Sequence, residues 1–184
     1  MVKKSNSNYT YHEYDIHSCI VIFFFILLQA TYCTSNAMPL KYQKEIDGLN
    51  LQNLCPTETV SPLGVEVFRW SYNPITHERN FLPNVVFDRI INHPYPYHIK
   101  DNPTKCKRCG ASFFTTIKSA VNAWENMSAQ NKANLGYTHI ASGILDEKDG
   151  LINKPSVTGH FGFYEFDTAD LTRKFKILSE LKNA

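Results

Sequence analysis

Glycine and proline are confined to one part of this chain. All eight Gly and all nine Pro lie within residues 38–184, and the first 37 residues contain neither. Connections between helices and strands are built largely from these residue types, so a folded domain with several turns needs them. The distribution therefore predicts two parts: a leader at 1–37 and a single globular domain at 38–184.

The leader carries an apolar run at 16–33, whose uninterrupted part is CIVIFFFILL at 19–28. A helix that spans a membrane needs about 17–25 apolar residues, and this run reaches that length only by including polar residues. Three interpretations stay open: a secretory signal, a membrane anchor, or a mis-assigned start with translation beginning at Met38. We expect a cytoplasmic protein in the last case, and a membrane-associated or exported protein in the other two.

Composition places the rest of the chain among ordinary globular proteins. Hydrophobic residues make up 43% of the whole sequence and charged residues 20%, which excludes a collagen-like or wholly disordered chain. The formal net charge of +2 is too small to indicate a polyanionic partner by itself. We find no P-loop, dinucleotide fingerprint, nucleophile elbow or HExxH helix.

The hydrophobic pattern predicts an α+β fold, with a small mixed or antiparallel sheet packed on one main helix at about 112–127. Apolar residues from Phe113 to Met127 recur at helical spacing, and Ser112 is the expected N-cap. A short second helix should run from Ser128 to Gly136. Strands are expected at 65–70, 137–145 and 159–166, with a return strand beginning at 151–152.

Four segments have less regular patterns. Residues 49–54 predict a short helix that ends at Pro56, and 85–91 fit either a strand or a short helix. Residues 92–110 contain three prolines and predict a long loop. The tail at 171–181 favours a helix, with a short strand at 174–178 as the competing interpretation.

The loop contains the sharpest local motif, Cys106-Lys107-Arg108-Cys109. Two thiolates at this spacing can bind one Zn²⁺, and a structural zinc site needs four ligands. The nearest further ligands are His93 and His98, with Cys55 more distant, so the sequence suggests a zinc-knuckle loop. In an exported protein, a Cys106–Cys109 disulfide or redox pair is the alternative. Two ordinary thiols in a loop remain a third interpretation.

The same loop is basic. Its cationic residues, Lys100, Lys105, Lys107 and Arg108, lie near two tyrosines, a combination that can hold phosphates and stack bases. Four charges without a continuing patch give weak binding, so a protein partner is preferred to nucleic acid as the occupant of this loop. A membrane is a partner only if residues 16–33 are retained in the mature protein.

Two histidines, His139 and His160, fall on strands expected to be neighbours, with three acidic residues nearby in sequence: Asp146, Asp149 and Glu165. A histidine pair can perform acid–base chemistry on a phosphodiester or nucleotide substrate. The leading functional hypothesis is a non-enzymatic binding or accessory protein that uses the 92–110 loop. A small hydrolase or transferase acting through His139 and His160 is the alternative, and an exported or membrane-anchored structural protein is the third.

Overall fold

Short β-branched and aromatic runs of the chain pair into one antiparallel sheet. The structure is a computed structural model that describes residues 38–92 and 99–181. Within these ranges seven strands pair in the order β1-β5-β6-β3-β2-β4-β7. They are β1 (Thr59–Val60), β2 (Val65–Ser71), β3 (Ala111–Phe114), β4 (His139–Leu145), β5 (Gly150–Asn153), β6 (His160–Glu165) and β7 (Phe175–Glu180).

Short helices connect and cover the strands. In the same two ranges they are α1 (Gln43–Gly48), α2 (Asn84–Ile90), α3 (Asn102–Arg108), α4 (Ile117–Glu125) and α5 (Ala129–Leu135), with a 3₁₀ turn at Leu171–Arg173. Side-chain oxygens cap the N-termini of several of these helices by accepting hydrogen bonds from amides that have no partner inside the helix. Ser128 caps α5 by accepting from the Asn131 amide at 3.2 Å, and Gly136 ends it at a φ of 65°, where glycine is favoured.

Both faces of the sheet are buried, because successive side chains of a strand point to opposite sides. One face, here called the Phe113 face, packs strand residues against Phe81 and Leu171; its strand members include Val67, Ala111, Phe113, Phe161, Phe163 and Phe175. The other, here called the Trp70 face, is covered by α4 and by Phe87 of α2; its strand members include Phe68, Trp70, Phe114 and Ile140. The described residues thus form one α+β domain.

The prediction of a single main helix at 112–127 is wrong in its first part. Phe113 and Phe114 belong to β3 and are buried on opposite faces of the sheet, at 0% and 2% exposure. Two adjacent aromatic residues can be buried in this way only on an extended strand, although their spacing to later residues mimics a helix. The helix begins instead after Thr116, whose hydroxyl accepts from the Ser119 amide at 3.0 Å.

The CxxC segment is a helix and not a loop. Asp101 caps α3 by accepting from the Thr104 amide at 2.8 Å, and Pro103 lies in the first turn, where its missing amide costs nothing. Residues 93–98, the other half of the expected loop, lie outside the described residues.

The remaining segments divide between confirmed and corrected predictions. The strands β2, β4, β5 and β6 and the helix α5 are confirmed. Two segments had alternative predictions. The first, at 85–91, is the helix α2, and the tail is a 3₁₀ turn followed by the strand β7. The short helix expected at 49–54 lies earlier, at Gln43–Gly48.

The leader, including the apolar run at 16–33, lies outside the described residues. Within the described ranges, none of the helices has the length and apolarity that crossing a bilayer requires.

Phe113 offers a direct test of the core. Truncation to alanine should lower the free energy of unfolding by about 3–5 kcal/mol, because a fully buried ring is replaced by a cavity. Urea denaturation followed by tryptophan fluorescence measures the change. Val157→Ala is the control, since Val157 is fully exposed and should change stability by less than about 0.5 kcal/mol. A Phe113→Ala loss no larger than that of the control would contradict the packing described here.

Candidate functional site

A cavity lies beside the junction of β2 and β3. These two strands share one register pair, Phe68 with Phe114, whereas β2 and β4 are paired along all seven residues of β2. The cavity has a volume of about 310 Å³ and its wall includes residues of β2, β3, α2, α3 and α5. Sites for small molecules in proteins typically measure about 300–1,000 Å³. The cavity is therefore large enough for a small ligand.

The most unusual residue in this wall is Arg69 of β2, which is 2% exposed. Its guanidinium carbon lies 5.2 Å from the ring centroid of Phe81 and 5.0 Å from that of Phe113. Its Nε donates to the backbone oxygen of Trp70 at 3.1 Å, whereas Nη1 has no hydrogen-bond partner in the part of the chain that the structure describes. Cation–π contact offsets some of the cost of burying this charge, but the unmade hydrogen bond still costs free energy.

Aromatic side chains form the apolar part of the wall. Trp70, Phe87 and Tyr137 all line the cavity, and the ring of Tyr137 contacts the rings of the other two. The Trp70 and Tyr137 centroids are 6.4 Å apart, and those of Phe87 and Tyr137 are 5.7 Å apart. Trp70 is fixed by its indole N–H, which donates to the Ala120 oxygen at 2.9 Å. The wall therefore offers a rigid aromatic surface that a planar group could contact.

The polar part of the wall comes mainly from three helices. Asp88 of α2 and Arg108 of α3 form an ion pair, and both side chains are largely buried. Burial lowers the pKa of the Arg108 guanidinium from its usual value. Besides the Tyr137 phenol, the wall has the hydroxyl of Ser112 and three amide side chains, those of Asn84, Asn131 and Asn134. These groups can donate or accept hydrogen bonds from a ligand.

The cysteines predicted to bind zinc are placed differently. Cys106 forms a disulfide with Cys55, so it has no thiolate to give to a metal in this state. Cys109 is a buried free thiol, and burial raises its pKa to about 11. Across 38–92 and 99–181, no cluster of three or more His, Cys, Asp or Glu residues could hold a metal ion. His93 and His98 lie outside the described residues, and the described ones give the zinc hypothesis no support.

The basic residues expected to bind a partner do not form one surface. Lys100 and Lys107 are exposed, and Lys105 is half-buried on α3. Arg108 instead points to Asp88 and lines the cavity. One of the four cations is thus part of the cavity wall, an arrangement that the sequence did not suggest.

The structure separates His139 from His160. Their strands, β4 and β6, are not neighbours, because β2 and β3 lie between them. His160, Phe114, Phe68 and Ser142 are register partners across the four strands, so their side chains point to the same face of the sheet. His139 lies three positions before Ser142 on β4 and therefore points to the opposite face. The two residues are roughly 14 Å apart across the sheet and roughly 10 Å along it. One small substrate could not contact both side chains.

The acidic residues near these histidines have structural partners. Asp146 and Asp149 both bind Lys174 Nζ, at 2.7 and 2.6 Å. Glu165 is buried and accepts from Lys41 Nζ at 2.7 Å, while its second oxygen has no partner in the described part of the chain. Burial raises the pKa of the Glu165 carboxyl, and Lys41 and then Arg69 oppose that rise. These carboxylates stabilise the fold around segment ends and turns.

Sequence reasoning missed Arg69, Trp70 and Asp88 as members of a site. One signal was present: Arg69 follows Val65 and Val67 at alternate positions of a strand, where an apolar residue is expected. A cation at such a position is either half-exposed or buried with surroundings that offset its charge. The sequence could not show that α2, α3 and α5 would meet around it.

Comparison with known proteins gives no relative for this chain: no family model, curated protein or solved structure matches it.

The buried Glu165 generates a prediction about pH. Its folded-state pKa is raised above the ordinary value of 4.5, so the stability it contributes falls as pH rises through the window between those two values. The free energy of unfolding of Glu165→Gln, minus that of the parent protein, should therefore increase from pH 4 to pH 7. Urea denaturation at each pH measures this difference.

Asp170→Asn is the matched control with the opposite sign. The Thr172 hydrogen bonds lower the pKa of the Asp170 carboxyl, so its stabilising contribution is present above the unfolded-state pKa and lost as pH falls. The corresponding difference should decrease as pH rises. A difference for Glu165→Gln that stays constant or also decreases would contradict the raised pKa.

Proposed function

We propose that this protein is a non-enzymatic binding protein whose cavity takes a small ligand with an anionic group and a planar ring, of the size and chemistry of a mononucleotide. The observation that carries the proposal is a cavity whose lining combines Arg69 and Arg108 with the aromatic side chains of Trp70, Phe87 and Tyr137.

An anionic group is the natural partner for Arg69. A buried guanidinium with an unmade hydrogen bond costs stability, and a negative charge close by would offset part of that cost. A phosphate or carboxylate held in the cavity would be attracted by the positive charge of Arg69. Arg108 lines the same cavity and can contribute to the attraction while Asp88 holds its side chain in place.

A planar ring suits the rest of the wall. Trp70, Phe87 and Tyr137 provide faces and edges for stacking, and aromatic contacts of this kind add about 0.5–1.5 kcal/mol beyond buried area. The amides of Asn84, Asn131 and Asn134 can form hydrogen bonds with the polar edge of a heterocycle.

The volume limits the size of the ligand. A cavity of about 310 Å³ is at the lower end of the range for small-molecule sites, which favours a mononucleotide over a dinucleotide or a larger conjugate. The net formal charge of the lining is +1 from Arg69, Arg108 and Asp88, which favours an anion over a neutral molecule.

Binding can be tested with adenosine 5′-monophosphate and adenosine as paired probes. Titration followed by tryptophan fluorescence, to which Trp70 of the cavity wall contributes, should show saturable binding of the monophosphate. Arg69→Met should weaken monophosphate binding by about 10- to 100-fold, because it removes one of the two positive charges that attract the phosphate. The same variant should leave the weaker binding of adenosine unchanged.

Arg173→Met is the matched control, because it removes the same charge from a side chain that is 86% exposed. It should bind both probes as the parent protein does. Equal monophosphate affinity in Arg69→Met and the parent protein, or no saturable binding by the parent protein, would refute the proposed function. Recovery of the probe unchanged after long incubation separates binding from turnover.

A second proposal concerns where the protein acts. The Cys55–Cys106 disulfide is of a kind found mainly in oxidising compartments, which favours the exported alternative. Cells lysed in acid and then alkylated should yield Cys55 and Cys106 unmodified unless a reductant is added first. Full alkylation of both cysteines in unreduced lysate would instead indicate a reducing compartment.

A further inference from the structure

Three cysteines lie together in one buried cluster, apart from the aromatic wall of the cavity. Cys55 and Cys106 are joined in a disulfide, with their Cα atoms 5.4 Å apart. Cys109 follows Cys106 by three residues at the C-cap of α3, and its thiol is free. All three are at least nine-tenths buried, at 7%, 3% and 2% exposure, and belong to the same hydrophobic cluster. A free thiol in the same cluster as a disulfide supplies the two reactants of exchange, an attacking sulfur and a bond to be attacked.

We propose that these cysteines form an intrachain thiol–disulfide exchange site, in which Cys106 pairs either with Cys55 or with Cys109. The Cys109 thiolate attacks Sγ of Cys106, and a Cys106–Cys109 bond forms as the Cys55–Cys106 bond breaks. The electron pair of the broken bond stays on Cys55 Sγ, which takes up the proton that Cys109 lost. The number of thiols and disulfides is unchanged, so the step requires no external oxidant or reductant.

The second pairing requires a local change in α3. Side chains three residues apart on a regular helix have Cβ atoms about 5–6 Å apart. A disulfide needs about 3.5–4.5 Å between those atoms. Formation of the Cys106–Cys109 bond must therefore distort the last turn of α3, which contains Lys107 and Arg108.

Arg108 connects this change to the cavity. In the Cys55–Cys106 form, its guanidinium pairs with Asp88 and lines the wall. Because Arg108 lies between the two cysteines of the new pair, the distorted turn carries its backbone with it. Exchange therefore displaces one of the two arginines of the cavity wall. Any effect of this displacement on ligand affinity rests on the proposed function, whereas the exchange itself does not.

The surroundings of Cys109 make the exchange slow at neutral pH. Burial and, to a smaller extent, the Glu45 carboxylate raise the pKa of its thiol, the Arg108 guanidinium lowers it, and the net pKa is about 11. The titratable groups that face Cys109 from its own and other elements are Tyr42, Glu45, Arg108, Tyr164 and Glu165. Since only the thiolate attacks, the exchange rate should rise about tenfold per pH unit below that pKa.

The exchange can be trapped in the full chain. Cys19 and Cys33 are replaced by serine so that only the three clustered cysteines remain, and the protein is incubated with iodoacetamide at pH 7 and pH 10 without reductant. After an acid quench, trypsin cleaves at Lys105, Lys107 and Arg108, so Cys106 and Cys109 leave on different peptides. Each pairing then gives its own cross-linked peptide in a mass spectrum.

We expect carboxamidomethylated Cys55 together with a Cys106–Cys109 cross-linked peptide, formed faster at pH 10 than at pH 7. In the Cys109→Ser variant, Cys55 should stay unmodified and linked to Cys106. Alkylation confined to Cys109, no alkylation with the Cys55–Cys106 peptide intact, or Cys55 alkylation that persists in Cys109→Ser would each overturn the proposal. These outcomes do not depend on whether the cavity binds a nucleotide.

Discussion

The buried guanidinium of Arg69 is the constraint around which the middle of this domain is organised. A charge that is 2% exposed must be offset by its surroundings, and here Phe81 and Phe113 supply cation–π contacts while the Trp70 carbonyl accepts from Nε. The same residue belongs to β2, which pairs along its full length with β4 but through one register pair with β3. The charged side chain therefore belongs to the strand that shares a single register pair with β3, and the cavity described above lies beside the junction of these two strands.

Much of the fold could be predicted from local signals. The strand β2, the helix α5 with its Ser128 cap and Gly136 terminator, and the strands β4 and β6 are each encoded by residues within the element itself. Capping hydroxyls, positive-φ glycines and β-branched runs act over a few residues, so a single sequence reveals them. The antiparallel α+β character follows from these elements and from the short connections between them.

The remainder depended on contacts between distant residues. Phe113 and Phe114 read as the start of a helical stripe because periodicity cannot distinguish a short buried strand from a helix. Cys106 pairs with Cys55, 51 residues away, so the spacing within the CxxC motif gave no information about its partner. The cavity could not be predicted for the same reason, since its wall combines residues of three helices with residues of two strands.

The two arginines of the cavity wall are held by different means, and this difference determines what each can do. Arg69 is fixed by the sheet core, so its position can change only if the Phe113 face is repacked. Arg108 is carried by a seven-residue helix that the Cys55–Cys106 disulfide joins to the segment before β1. Interiors packed as densely as crystals resist continuous deformation, and the end of a short helix opens more readily than the middle of a sheet. Arg69 therefore provides a fixed positive charge behind the cavity wall, and Arg108 provides a second charge whose position, in the exchange that we propose, depends on the covalent state of Cys106.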